Sequence, residues 1–270
     1  MIIIGEKINA SIPAIRDAIA ARNDDFLRRL ATLQENAGAS LIDVNVGTGD
    51  GGSAEEIGNI RWLADLVQGS VQCGLCVDSA DPEVLRAGLE AVPGRAGMIN
   101  SVKASEKNME EIFPLAVQYG VPVIALAMDE KGIPKTAAGR LAACEKILKG
   151  ADAAGVPAER IFFDPLVIPV STDISQGMVT LETLRGIKDR FPDAKTVLAL
   201  SNVSFGLPRR SLINIAMLQM AVFLSVDAVI VNPLDGAVMS ALRAAEAVMG
   251  KDKHCRRYTR AIRKLQTGEK

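Results

Sequence analysis

Histidine is nearly absent from this sequence: the 270-residue chain has one, His254. A Ser–His–Asp device therefore lacks its base, and a histidine-rich metal centre lacks its ligands. Cysteine is scarce as well, at four residues. Cys73-Gly-Leu-Cys76 has the spacing of a redox or zinc pair, but no second CxxC follows and Cys76 falls inside an apolar run, so its reading is structural. Neither sign of charge dominates, with 31 basic against 32 acidic residues, which argues against nucleic acid or an anionic membrane surface as partner. The opening isoleucines are interrupted at once by Gly5-Glu6-Lys7, so neither a signal peptide nor a membrane span is expected. The chain reads as a reduced, cytoplasmic protein. No linker rich in Pro, Gly or Ser divides it, and one domain over 1–270 is expected.

What the sequence has in quantity is short apolar runs that stop on a polar residue. They include Ile3-Ile4-Gly5-Glu6, Ile42-Asp43-Val44-Asn45, Leu75-Cys76-Val77-Asp78-Ser79, Met98-Ile99-Asn100-Ser101 and Ile161-Phe162-Phe163-Asp164. The clearest is Val197-Leu198-Ala199-Leu200, which runs into Ser201-Asn202. Apolar runs without alternation suit strands buried on both faces of a parallel sheet covered by helices. Strands are expected at 2–4, 40–44, 75–77, 97–99, 122–127, 161–163, within 196–204, and at 228–231. Helices are expected between them, at about 24–37, 53–67, 82–91, 107–119, 137–154, 180–190, 212–224 and 235–249. Their ends carry the usual signals: Asn23 or Asp24 as a cap, Ser53 with Glu56 as a capping box, Pro82 in a first turn, and Gly38, Gly120 and Gly155 as stops. Strict alternation of strand and helix predicts an α/β fold, a TIM (β/α)8 barrel. The basic cluster Lys251, Lys253, Arg256, Arg257, Arg260, Arg263 and Lys264 reads as a solvated terminal helix.

In such a barrel the strands' carboxyl ends build the site. Collected there are Glu6, Asn9, Asp43, Asn45, Asp78, Ser79, Asn100, Asp164, Ser201, Asn202, Ser204 and Asn232, with Lys7 as the one strand-end cation. The glycine-rich stretch 47–52 lacks the Walker lysine and the GxGxxG order, and reads as a lid or turn rather than a phosphate cradle. Carboxylates accept two N–H bonds side by side, and carboxamides donate and accept at once. That set suits a flat, neutral heterocycle such as the edge of a 2-amino-4-oxopteridine. Each residue also has a structural alternative. Asp43 can hold its own loop's N–H groups, Asn100 and Asn202 can be left-handed turn residues, and Glu6 can pair with Lys7. Asp78 and Asp164 end buried strands, where a carboxylate without a partner is costly, and this favours function for both.

At these residues the sequence resembles the methyltetrahydrofolate:corrinoid-protein methyltransferases, pterin-binding barrels related to the pterin module of cobalamin-dependent methionine synthase. The matching segments are Ile4-Gly-Glu-Lys-Ile-Asn9, Asp43-Val-Asn-Val-Gly47, Cys76-Val-Asp-Ser79, Met98-Ile-Asn-Ser101, Phe113-Pro-Leu-Ala116, Gly132-Ile-Pro-Lys135, Asp164-Pro-Leu166 and Leu200-Ser-Asn-Val-Ser204. Dihydropteroate synthase shares the fold and pocket, but its Asn-Val-Thr-Pro-Asp-Ser-Phe type loop and Ser-Arg-Lys type signature are replaced here by Glu6-Lys-Ile-Asn9 and Ser201-Asn-Val-Ser204.

The resemblance implies a methyltransferase acting between N5 of methyltetrahydrofolate and the cobalt of a corrinoid, with no covalent enzyme intermediate and no protein-bound metal. It implies Asp78, Asn100 and Asp164 as readers of the pterin edge and Asn202 as the residue that reaches N5, with Asp78 holding geometry beside it. Glu6, Asn9, Asp43, Asn45, Ser79 and Ser201 form the supporting pocket. Arg209 lies near a family arginine. The cobamide is expected on a separate corrinoid protein, because no Asp-x-His-x-x-Gly type signature is available with one histidine at 254. The loops 47–53 and 128–135 are the expected rim for that partner, and a homodimer is expected from the resemblance. A pterin-binding protein without turnover, and use of other tetrahydropterins, stay open at this point.

Overall fold

The computed structural model describes residues 1–47 and 54–267. In chain order the elements are β1 (Ile2–Asn9), α1 (Pro13–Ala20), α2 (Asp24–Asn36), β2 (Leu41–Asn45), α3 (Ala54–Gln68), β3 (Gly74–Asp78), α4 (Pro82–Ala91), β4 (Ala96–Ala104) and α5 (Glu106–Tyr119). They continue as β5 (Val123–Asp129), α6 (Ala137–Ala153), β6 (Ile161–Asp164), α7 (Gln176–Arg190), β7 (Lys195–Ala199), α8 (Arg210–Phe223), β8 (Ala228–Val231), α9 (Gly236–Val248) and α10 (Arg256–Thr267). The strands pair in chain order, all parallel, and β8 closes on β1 to make a barrel. The fold is the expected TIM barrel.

Local chemistry accounts for the helix starts. Asn23 accepts from the Phe26 N–H, Asp81 from that of Glu83 with Pro82 following, Thr136 from Gly139, and Asp235 from both Ala237 and Val238. Gly120 closes α5 in the left-handed region at φ 66°, where a Cβ would be strained. The capping box at Ser53 and the glycine-rich stretch expected as a lid lie outside the described residues.

Two layers of apolar side chains follow from the strand pattern. Ile4, Cys76, Met98, Ile124, Phe162, Val197 and Ala228 form a cluster of their own and fill the barrel interior. The residues between them face outward and pack against the helices. Val77, Ile99, Val123 and Phe163 belong to one such cluster, and Ile3, Leu198 and Val229 to another. The barrel is therefore plugged beneath its carboxyl end, and residues one layer higher form the floor of a cavity.

Four differences from the expected elements bear on the site. β1 runs on to Asn9 because a bulge lies between Gly5 and Ile8 rather than a loop. An additional helix, α1, follows it. β4 extends to Ala104. The apolar run of β7 ends at Ala199, and Leu200–Ser204 wind into a 3-10 turn.

Candidate active site

Period-two geometry places the polar residues. On a strand, i and i+2 share a face, so two steps on from an interior apolar residue comes the next inward side chain. Leu41 leads to Asp43 and Asn45, Cys76 to Asp78, Met98 to Asn100, and Phe162 to Asp164. Register then sets their heights: Asp43 lies beside Cys76, and one layer above, Asn45 lies beside Asp78 and Asp78 beside Asn100. Asp43, Asp78, Asn100 and Asp164, together with Glu6 and Ser201, bound an open cavity of about 800 Å³ at the strands' carboxyl ends.

A hydrogen-bond network orients these side chains. Asn45 Nδ2 donates to Asp78 Oδ2 at 2.9 Å, while Asn45 Oδ1 accepts the Gly47 N–H at 2.9 Å, so the carboxamide is held from both ends. Asn100 Nδ2 donates to Asp43 Oδ1 at 3.3 Å. Asp164 Oδ1 accepts the Leu166 N–H at 2.8 Å. Asp78 Oδ1 and Asp164 Oδ2 carry no hydrogen bond among the described residues. Each of these carboxylates thus has one oxygen committed to the protein and one unbonded among the described residues.

Burial shifts their protonation. The Asp78 carboxyl is pushed up to about 6 by burial, against the Asn45 hydrogen bond. Asp164 is likewise raised to about 6 by burial, opposed by the Leu166 N–H and the Arg140 charge. Asp43 is raised well above the carboxylate range, first by burial and then by the nearby Asp78 charge. Burial also raises Glu6, opposed by the Ser201 hydroxyl, Lys7, Arg210 and the Asn232 backbone. Burial and the neighbouring Asp78 charge thus both disfavour the ionised form of Asp43, the deepest carboxyl of the floor. Burial also raises both members of the Cys73–Cys76 pair, Cys73 to about 12, so neither is a thiolate.

The other sequence-derived positions divide between the cavity and its support. Glu6, Asn9, Ser201 and Asn202 line the cavity. Ser201 Oγ donates to Glu6 Oε1 at 2.6 Å. Asn202 stands exposed on the 3-10 turn, and its carboxamide has no partner among the described residues. Asn45 and Ser79 lie behind the lining; Ser79 Oγ accepts the Asp81 N–H ahead of α4. Arg209 is outside the cavity, at φ 50° as the N-cap of α8. Its neighbour Arg210 lines the cavity instead, donating to the Ser201 carbonyl at 2.6 Å and Ser204 Oγ at 3.0 Å. These bonds clasp the turn that carries Asn202.

Arg140 was not legible in the sequence. It is fully buried in α6 and donates to the carbonyls of Pro134, Pro165 and Leu166 and to Gln176 Oε1. It thereby fixes the segment after Asp164, where Leu166 sits in the left-handed region at φ 66°.

A family model described as pterin binding enzyme matches residues 6–232. The chain belongs to the pterin-binding enzyme family. This pterin-binding enzyme is 33% identical over 270 residues, 99% of its length and 98% of the other's, to a methylcorrinoid:tetrahydrofolate methyltransferase from Eubacterium limosum. It is also 31% identical over 218 residues to a methionine synthase from Mycobacterium tuberculosis, matching 77% of this chain and 18% of that one. Among solved structures, a Yersinia pestis dihydropteroate synthase with a pterine-sulfa conjugate superposes with a TM-score of 0.74 at 16% identity, covering 93% of each chain. That likeness shows the shared fold.

Among the described residues, no group of three His, Cys, Asp or Glu side chains is placed to hold a metal ion. No helix among them is long and apolar enough to cross a membrane.

Proposed function

We propose that this enzyme transfers a methyl group between the cobalt of a corrinoid, brought by a separate protein, and N5 of tetrahydrofolate. The observation that carries the reading is the pairing of two half-committed carboxylates, Asp78 and Asp164, with an unpartnered Asn202 above them. The first pair accepts the N–H groups of a 2-amino-4-oxopteridine edge, with Asn100 alongside. Asn202 then faces the reduced ring's N5. The name of the Eubacterium limosum relative supports the direction from methylcorrinoid to tetrahydrofolate.

In that direction the N5 lone pair attacks the methyl carbon in line. The N5–CH3 bond forms as the cobalt–carbon bond breaks, and that electron pair stays on cobalt, giving Co(I). The N5 proton leaves to solvent. Asn202 Oδ1 accepts that N–H as positive charge builds on nitrogen. In the reverse direction Asn202 Nδ2 donates to N5 as the methyl departs, so one carboxamide serves both directions. Asp78 and Asp164 hold the ring so that N5 meets the methyl at the cavity mouth. No side chain acts as nucleophile.

Calorimetric titration with methyltetrahydrofolate tests the pterin site. One saturable event per chain, competed by 6-methyltetrahydropterin, is expected; absence of binding of either compound contradicts it.

The proposal includes a homodimer. Leu212, Met220 and Phe223, at 60%, 45% and 64% exposure, share one face of α8 at helical spacing and are the kind of patch a second copy covers. Sedimentation at the mass of two chains is the expected result, and a monomer at micromolar concentration removes the dimer.

A further inference from the structure

The bulge in β1 gives the cavity a charge that a regular strand would have turned away. Gly5 pairs with Ile42 and the next pair is Ile8 with Val44, so Glu6 and Lys7 together oppose Asp43 alone. Two residues against one is a β-bulge, the device that re-aims side chains next to sites. Successive residues of a regular strand point to opposite faces, yet both Glu6 and Lys7 line this cavity.

The bulge is held from behind by a buried polar group. Gln34, fully buried on α2, accepts the Lys7 N–H on Oε1 at 3.0 Å. Gly5 makes room for it, since a Cβ there would lie 2.6 Å from the same oxygen. A buried glutamine and an obligatory glycine thus fix where Lys7 leaves the strand.

Two cations line the cavity, Lys7 and Arg210. Arg210 is already bonded to Ser201 and Ser204. The Lys7 ammonium has no hydrogen bond or ion pair among the described residues; its electrostatic neighbour is Glu6, whose carboxylate is taken up by Ser201 and the Asn232 N–H. Beyond Lys7 the lining continues through Ile12 and Pro13, an apolar ledge across the mouth from Asp164 on β6.

The geometry points to Lys7 as the reader of an anionic tail on the substrate. This rests on the pterin reading above and adds a specificity-determining residue to it: Lys7 separates a pteridine that carries an aromatic linker and a carboxylate from a bare one. The linker lies on Ile12 and Pro13, and the tail carboxylate pairs with the Lys7 ammonium. Asp78, Asn100 and Asp164 serve the ring alone.

The test compares two ligands in wild type, Lys7→Gln and Lys7→Arg by calorimetry at low and high salt. The ligands are methyltetrahydrofolate and 5-methyl-6-methyltetrahydropterin, which lacks the tail. Lys7→Gln is expected to weaken the folate about three- to tenfold at low salt and leave the tailless compound unchanged. Lys7→Arg retains most of the folate affinity. The wild-type folate affinity falls with salt, and that of Lys7→Gln does so less. Equal weakening of both ligands, or of neither, overturns the tail assignment while the pterin site stands. Wild-type binding of neither ligand removes the pterin reading and the tail assignment with it.

Discussion

Asn202→Ala is expected to cut methyl transfer by about 10²- to 10³-fold while methyltetrahydrofolate still binds within a few-fold of wild type. The two effects separate because of where the residues sit. In the proposed site, ring recognition falls to Asp78, Asn100 and Asp164 on the strands β3, β4 and β6. Asn202 is on a 3-10 turn and exposed at the mouth, and its carboxamide has no hydrogen-bond partner among the described residues. Charge on N5 changes only as the methyl moves, so a contact there strengthens in the transition state and lowers kcat when lost. Stopped-flow measurement of the methylcobalt or Co(I) absorbance, beside calorimetry, reads both. A variant that loses binding and turnover together would make Asn202 a ring reader instead. Asn202→Asp, which keeps the shape and the acceptor but loses the donor, is expected to impair demethylation of methyltetrahydrofolate more than methylation of tetrahydrofolate.

Asp164→Asn is the second large effect, and it has opposite signs for binding and for stability. Asp164 is 4% exposed and keeps one free oxygen toward the cavity. Replacing that oxygen by an amide sets a donor against the N–H donors of the pteridine edge. A loss of about 30- to 300-fold in affinity is expected, from one charge-assisted pair of bonds turned repulsive. Stability moves the other way. The folded-state carboxyl titrates at about 6, raised by burial, so the folded protein disfavours the charged form. The penalty is absent below the unfolded value of about 4, grows as pH rises from there to about 6, and is fully present above it. Asp164→Asn removes it, and the variant is expected to unfold at higher urea than wild type at pH 8, by about 2 kcal/mol, with no gain at pH 4. The same titration predicts that wild-type affinity for methyltetrahydrofolate falls as pH drops through about 6, where Asp78 and Asp164 take up protons. Affinity that stays flat from pH 8 to pH 5 would mean that neither carboxylate meets the ring in ionised form.

The barrel was legible because its strands are buried on both faces. Such strands appear in sequence as unbroken apolar runs, and the point where each run meets Asp, Asn or Ser marks the edge of the core. Leu75-Cys76-Val77-Asp78 and Phe162-Phe163-Asp164 show this directly, since the inward residue two steps beyond Cys76 or Phe162 is the carboxylate. The rest depended on long-range contacts. β1 passes through Glu6 and Lys7 because Gln34, 27 residues away, takes the Lys7 N–H. Arg140 carries no signal in a helix of ordinary composition; its partners come from the segments around Pro134, Pro165 and Gln176. Arg209 adopts the left-handed conformation that starts α8, and this turns Arg210 rather than Arg209 toward Ser201 and Ser204. The partner rim expected at 47–53 lies, from 48 onward, outside the described residues. That at 128–135 is a turn closed by an Asp129–Gly132 bridge, with Ile133 41% exposed at its tip.

The central claim is that a site built from Asp78, Asp164 and Asn202 moves a methyl group between tetrahydrofolate and cobalt. Anaerobic incubation of the wild-type chain with tetrahydrofolate and methylcob(III)alamin, followed by the loss of methylcobalt absorbance and by chromatography of the folate, tests it most directly. The account predicts stoichiometric formation of 5-methyltetrahydrofolate and cob(I)alamin, faster than in the absence of protein and faster again with a protein-borne methylcorrinoid. Saturable folate binding with no methyl transfer from either methylcorrinoid would contradict it.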